Sequence, residues 1–371
     1  MPLPIRENVL AMTPYSPGKP IEEVKRELGL ERVIKLASNE NPLGPSPRAV
    51  AAVRAAADAI HLYPDGAAHD LRRAISRKFG LPPEQILLGN GGDEILRMLG
   101  WVLIGREDDE VLTGDPSFVV YGDTAKIAPC RWVKVPVNAR YGIDLPAMAK
   151  HLGDRTRIVF LANPNNPTGT VLSKREFDAF LKDVPDSALV VLDEAYYEFA
   201  ADLPDFPHGL GYVKDGVPNV VCLRTFSKAY GLAGVRCGYG FGPVSLVDAV
   251  HRARQPFHVN SLAQVAAIAA LDDDEHVART VANNARGLER LAEIVRSVGG
   301  TPIQGRANFL LADFGRPVGP LFRALLERGV IVRSGEALGA PTCLRISVGT
   351  DEETELFATA IREVVVAEAQ R

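Results

Sequence analysis

Lys228 stands in the run Arg224-Thr-Phe-Ser-Lys-Ala-Tyr-Gly-Leu-Ala-Gly-Val-Arg236. An apolar segment, Val220-Val-Cys-Leu223, precedes it, Ser227 adjoins it, and glycines lead on to Arg236. A desolvated amine near other cations loses proton affinity and becomes a nucleophile. The order suits a lysine that holds an aldehyde as a Schiff base, with Ser227 and Arg236 placed to grip a phosphate. A lone lysine in a glycine loop is more often a surface residue, so the weight falls on its companions.

The first companion is Gly89-Asn-Gly-Gly-Asp-Glu94, which follows a short predicted strand, Gln85-Ile-Leu-Leu88, and opens a predicted helix. Free N–H groups at Gly91, Gly92 and Asp93, at the positive end of that helix, form a cup for an anion. The second is Asp193, which ends the apolar run Ala188-Leu-Val-Val-Leu192. Such runs are buried in parallel sheets, and open α/β sheets place ligands at the carboxyl edge. The third is Arg345, on a predicted strand where Leu344, Ile346 and Val348 face one way and Arg345 and Ser347 the other. Two rival phosphate motifs fail. Nothing matches the Walker pattern, and Gly238-Tyr-Gly-Phe-Gly-Pro243 lacks the third glycine of a dinucleotide fingerprint at its required place.

These runs, with Leu36-Ala-Ser-Asn-Glu-Asn-Pro-Leu-Gly-Pro-Ser-Pro47, Tyr63-Pro-Asp, Asn163-Pro-Asn-Asn-Pro-Thr-Gly169, Asp193-Glu-Ala-Tyr196 and Cys343-Leu-Arg-Ile-Ser-Val-Gly-Thr350, recur in the order of a known family. The chain resembles the fold-type I pyridoxal-phosphate (PLP) aminotransferases, and within them the histidinol-phosphate aminotransferase branch. The resemblance implies that Lys228 carries PLP and, once freed, shuttles a proton as general base and acid. It implies that Asp193 pairs with the ring nitrogen, so that the ring accepts electrons. Tyr196 and Asn166 would meet the ring 3-oxygen, and Phe118, where tyrosine is common, would stack on the ring. Arg345 would fork onto a substrate carboxylate, with Arg333 as a second anion contact and Asn39, Asn308 and Tyr15 lining the same pocket. Tyr63, held extended by Pro64, would reach the cofactor phosphate of a second subunit, which implies a homodimer with shared sites.

The reaction so implied converts histidinol phosphate and 2-oxoglutarate to imidazole acetol phosphate and glutamate, a step of histidine biosynthesis. An aromatic amino-acid aminotransferase and a PLP decarboxylase acting on an amino-acid phosphate are alternatives on the same scaffold. A PLP-binding transcription regulator would need a DNA-binding domain, and the family pattern begins within the first 40 residues.

The elements that must position these residues alternate from about residue 46 to 250, which predicts an α/β domain with a mostly parallel central sheet. Ser46-Pro47 reads as a helix start, with Val50, Val53, Ala57 and Ile60 marking one face. Leu71, Ile75 and Phe79 mark a second helix ended by Gly80, and Ser173-Lys-Arg-Glu176 is a capping box ahead of Phe177, Phe180 and Leu181. Beyond residue 250 come a long helical stretch, glycine-punctuated strands and a final helix from about Asp351. The expected division is a large domain over 46–250, a smaller α/β lobe over 251–371, and an N-terminal arm over 1–45 that joins the smaller lobe.

The 371 residues exceed one simple core. A net charge of -4 gives no reason to expect nucleic acid, and no apolar run is long enough to span a bilayer. No signal pattern opens the chain, and no histidine shows metal spacing. The cysteines at 130, 222, 237 and 343 form no Cys-x-x-Cys pair and read as free thiols in a reducing, cytoplasmic compartment.

Overall fold

The computed structural model describes residues 3–12, 14 and 18–370. Strand β1 (Ile34–Lys35) belongs to the N-terminal arm. Seven strands follow: β2 (Ile86–Gly89), β3 (Glu110–Asp115), β4 (Arg131–Pro136), β5 (Thr156–Ala162), β6 (Leu189–Asp193), β7 (Val220–Thr225) and β8 (Gly238–Phe241). They form one sheet in the order 2-8-7-6-5-3-4, and β8 alone runs against the rest. Every residue of β2, β6, β7 and β8 is buried, as sheets covered on both faces require. This is the α/β architecture with a mostly parallel sheet that the alternation predicts.

The smaller lobe carries β9 (Thr301–Ile303), β10 (Phe309–Asp313), β11 (Val330–Ile331), β12 (Arg333–Ser334) and β13 (Cys343–Ser347). Four of them form an antiparallel sheet in the order 12-13-10-9, while β11 pairs in parallel with β1. The arm is therefore stitched to this lobe by backbone hydrogen bonds. Its core joins Leu36, Leu291, Ile294, Leu310, Leu344 and Phe357.

The change of lobe differs from the sequence expectation. Helix Ser261–Leu271 lies past residue 250, yet its Ala263, Ala266, Ala267 and Ala270 pack with Ala49, Leu71 and Ile75 in the large core. The crossing falls instead along helix Asp274–Ser297, whose Val277 leans on the large core and whose Leu291, Ile294 and Val295 enter the small one. Alanine-rich faces let two helices approach closely, and that also corrects the expected face of helix Pro47–Ala56. Ala49 is its buried residue and Val53 packs beside it, whereas Ile60 is exposed. The helix ends predicted from chemistry are present: Ser46 accepts from Ala49 N–H, Gly80 turns left-handed, and Ser173 and Glu176 cap each other.

Candidate active site

The carboxyl ends of five strands of the large sheet open onto one cleft of about 320 Å³. After β2 come Gly92 and Asp93, after β3 Phe118, after β5 Asn166, at the end of β6 Asp193 and then Tyr196, and after β7 Ser227 and Lys228, all of them lining it. Arg236 joins them from the segment that leads into antiparallel β8, and the small lobe contributes Arg333 and Arg345. Gly92 and Lys228, 136 positions apart in sequence, thus share one edge because parallel strands all end there.

The anion cup is built as its glycines predict. Gly91 (φ 79°) stands before helix Gly92–Leu103 and leaves the start of that helix without a capping side chain. Arg236 itself has φ 62°, its Nη1 donates to Ala233 O at 3.1 Å, and its Nη2 lies 3.5 Å from Asp93 Oδ2. Thr225 Oγ1 lies 3.0 Å from Ser227 Oγ and accepts from Ser227 N–H at 3.1 Å, which fixes the serine at the strand end.

Lys228 is partly buried, and burial, then the nearby Arg345 guanidinium, pull its amine down to about 8. Asp193 is buried, and loss of water pushes its carboxyl up to about 6 despite hydrogen bonds from Tyr121 (2.8 Å) and Ala195 N–H (3.1 Å). Burial likewise raises Tyr196 to about 12, so its hydroxyl keeps its proton. That hydroxyl accepts from Asn39 Nδ2 at 2.9 Å.

Arg345 does not occupy a sheet edge. β13 lies between β12 and β10, and Arg345 is 7% exposed. Its Nη1 donates to Asn166 Oδ1 at 2.7 Å and its Nη2 to Ala37 O at 2.6 Å. Arg333 is its direct cross-strand partner, so the two side chains leave the same face of the sheet.

One expected pocket residue stands elsewhere. Asn308 is buried outside the cleft lining, and its Nδ2 donates to Asn39 O at 2.9 Å. It supports Asn39, whose φ of 57° needs holding, and is a second layer behind the cleft. Tyr63 is 83% exposed, away from its own chain's cleft, and stacks on Phe257 with ring centroids 4.7 Å apart. Tyr15 lies outside the described residues. Asn39 does line the cleft, with its amide engaged by Tyr196 and by Ser347 Oγ (2.8 Å).

Two further features carry no motif of their own in the sequence. Tyr121 lines the cleft and reaches Asp193, and its signal was the three-residue helical step from Phe118. Glu194, next in sequence to Asp193, and Arg224 form a fully buried ion pair at 2.9 Å. Among the described residues no cluster of side chains could hold a metal ion, and no helix is long and apolar enough to cross a membrane.

Residues 31–361 match the family described as aminotransferase class I and II. A histidinol-phosphate aminotransferase of Moorella thermoacetica is 48% identical over 97% of this chain and 92% of its own. One from an Anaeromyxobacter species is 47% identical over 99% of this chain and 100% of its own. The crystal structure of the histidinol-phosphate aminotransferase from Sinorhizobium meliloti, in complex with pyridoxal-5'-phosphate, superposes with a TM-score of 0.90 at 29% identity, covering 99% of each chain.

Proposed function

The chain belongs to the class I and II aminotransferases, and on that premise we propose that it transfers the amino group of histidinol phosphate to 2-oxoglutarate, yielding imidazole acetol phosphate and glutamate. The relatives of like name support this reading. One observation of the site carries it. Arg333 and Arg345, set opposite each other across two strands, face the cleft that holds the Lys228 amine. Two guanidinium groups so placed favour an anion between them. Histidinol phosphate offers an amine and a phosphate but no carboxylate, whereas glutamate offers two carboxylates. A guanidinium pair accepts either, so one pocket serves both half-reactions.

Pyridoxal phosphate is the cofactor of this reading, and the groups present fit it. The cup at Gly91 is bare of side chains where Arg236 closes over it, since a Cβ on Gly91 would stand 2.4 Å from Arg236 Nη2. Asp193 is a buried carboxylate whose proton affinity is raised by loss of water, a cost that a protonated ring nitrogen would offset. When bound, the cofactor provides an electron sink for the pair left on the substrate carbon as its proton departs. Ser227, Arg236 and the N–H groups of Gly92 and Asp93 would hold its phosphate, and Phe118 its ring face. Asn166 and Tyr196 would meet its ring oxygen.

Lys228 is the residue that would hold the cofactor's aldehyde carbon. Once released, its Nζ takes the proton from the substrate carbon and returns it across the carbon–nitrogen bond. With a proton affinity near neutrality the amine is both an adequate base and an adequate acid. Arg345 holds the substrate anion and so aims the reacting C–H at Nζ. Tyr63 of a second copy completes the phosphate grip, and its 83% exposure on this chain supports a homodimer. A reducing, cytoplasmic compartment belongs to the same reading, supported by four free cysteines.

Steady-state kinetics with histidinol phosphate, phenylalanine and tyrosine, each paired with 2-oxoglutarate, test the proposal. The largest kcat/KM is expected for histidinol phosphate. A larger value for phenylalanine would replace this substrate with an aromatic amino acid.

A further inference from the structure

Tyr121 has three neighbours that no chance packing requires together. Its hydroxyl donates to Asp193 Oδ2 at 2.8 Å. Its ring lies flat on Phe160, with centroids 4.7 Å apart and planes 6° apart. Phe118 meets it edge-on at 5.6 Å and 87°. The side chain is fully buried, so the hydroxyl has no water to turn to, and desolvation beside a carboxylate holds its proton in place. While Asp193 is ionised, Tyr121 is therefore the donor in this pair. The other carboxylate oxygen of Asp193 accepts from Ala195 N–H at 3.1 Å. One donor on each oxygen stops rotation of the carboxylate and leaves lone pairs toward the cleft.

Resting on the reading that Asp193 meets a protonated ring nitrogen and Phe118 the ring face, we infer that Tyr121 is a positioning residue for both contacts. Its hydroxyl fixes Asp193 as a charged acceptor of set orientation, and its ring, at 87° to that of Phe118, sets the plane of Phe118. Phe160 clamps the tyrosine so that neither function drifts. A purely structural tyrosine would fill the same volume without a hydroxyl at this carboxylate, and phenylalanine would serve equally well.

The Tyr121→Phe variant separates the two roles because it keeps the ring and removes only the hydroxyl. Far-UV circular dichroism of the cofactor-free variant should match the parent, since the stacking on Phe160 survives. The pyridoxal-phosphate dissociation constant, read from the visible absorbance band, should rise about tenfold at neutral pH, as loss of a charged hydrogen bond implies. The pH dependence of that constant is the discriminating readout. In the parent, affinity should fall as pH drops through about 6, where Asp193 of the cofactor-free protein takes up a proton. In Tyr121→Phe the fall should begin about one pH unit higher, because the lost donor favoured the ionised form. In an Asp193→Asn background, adding Tyr121→Phe should change the constant by less than about twofold.

An unshifted pH limb, or a tenfold loss that persists in the Asp193→Asn background, overturns the inference. A parent protein that binds no pyridoxal phosphate at all overturns the underlying reading instead, so the two failures are distinct.

Discussion

Gly91 lies so close beneath Arg236 that a Cβ on it would stand 2.4 Å from Nη2 of the guanidinium. The clashing atom is the end of a flexible side chain, so Gly91→Ala would move Arg236 and leave the sheet intact. A backbone φ of 79° with ψ 171°, a region almost confined to glycine, adds strain of about 1–3 kcal/mol for any L side chain. The variant should fold, with a melting temperature a few degrees lower, and lose about 10- to 100-fold in pyridoxal-phosphate affinity as the phosphate loses its charged partner. Calorimetry and an absorbance titration measure the two effects separately. Parental affinity in a folded Gly91→Ala protein would remove the cup from the phosphate site.

The amine of Lys228 should react as a base of proton affinity near 8, because burial and Arg345 disfavour its charged form. Capture of pyridoxal phosphate needs the neutral amine, so its rate should climb with pH and level off above about 8, where an ordinary lysine would climb to about 10.4. Arg345→Ala removes a cation and should move the midpoint upward. Stopped-flow absorbance across pH 6–10 reads the midpoint; one near 10 would show the amine to be solvated. Lys228→Ala should abolish the band.

Most of the placement of these residues is legible because it is local in sequence. A glycine turn after a short apolar strand announces a helix start, and an aspartate at the end of an apolar run announces a sheet's carboxyl edge. Lys228, Ser227 and Arg236 share one short loop. What escaped depends on contacts between distant segments. Asn308 and Asn39 differ by 269 positions, so no periodicity could tell that one supports the other rather than the substrate. Ile60 looked like a core residue and is exposed, because alanines, which carry little hydrophobic signal, make the helix contact there. Tyr121 hid for a different reason: its role comes from a carboxylate 72 residues later.

Glu194 and Arg224, 0% and 2% exposed, pair at 2.9 Å, and Arg224 Cζ lies 3.4 Å from the Tyr197 ring centroid. Removing one partner strands the other charge out of water. Glu194→Gln should therefore cost about 3–5 kcal/mol of folding stability, seen as a lower urea midpoint with an unchanged slope. Since Glu194 adjoins Asp193, the cofactor-bound form should lose at least as much. A cost below about 1 kcal/mol would mean the pair contributes little beyond its own desolvation.

Arg345→Lys keeps a positive charge but loses the planar fork and reaches Asn166 and Ala37 with fewer donors. KM for histidinol phosphate and for glutamate should both rise, about 10- to 100-fold, with a smaller effect on kcat. Each half-reaction is followed separately by the change of the cofactor's absorbance. Loss confined to one substrate would show that the two anions do not share this arginine.

Tyr63, stacked on Phe257 at 4.7 Å and 83% exposed, does not line its own chain's cleft. If it completes the site of a second copy, each site draws Lys228 from one chain and Tyr63 from the other. Lys228→Ala and Tyr63→Ala proteins should each be inactive or weak alone. Mixed in equal amounts and allowed to exchange subunits, half of the dimers are hybrids, and each hybrid has one site with both residues intact. Activity should then recover to about a quarter of the parent. No recovery after exchange, verified by mass spectrometry of hybrid dimers, would confine each site to a single chain.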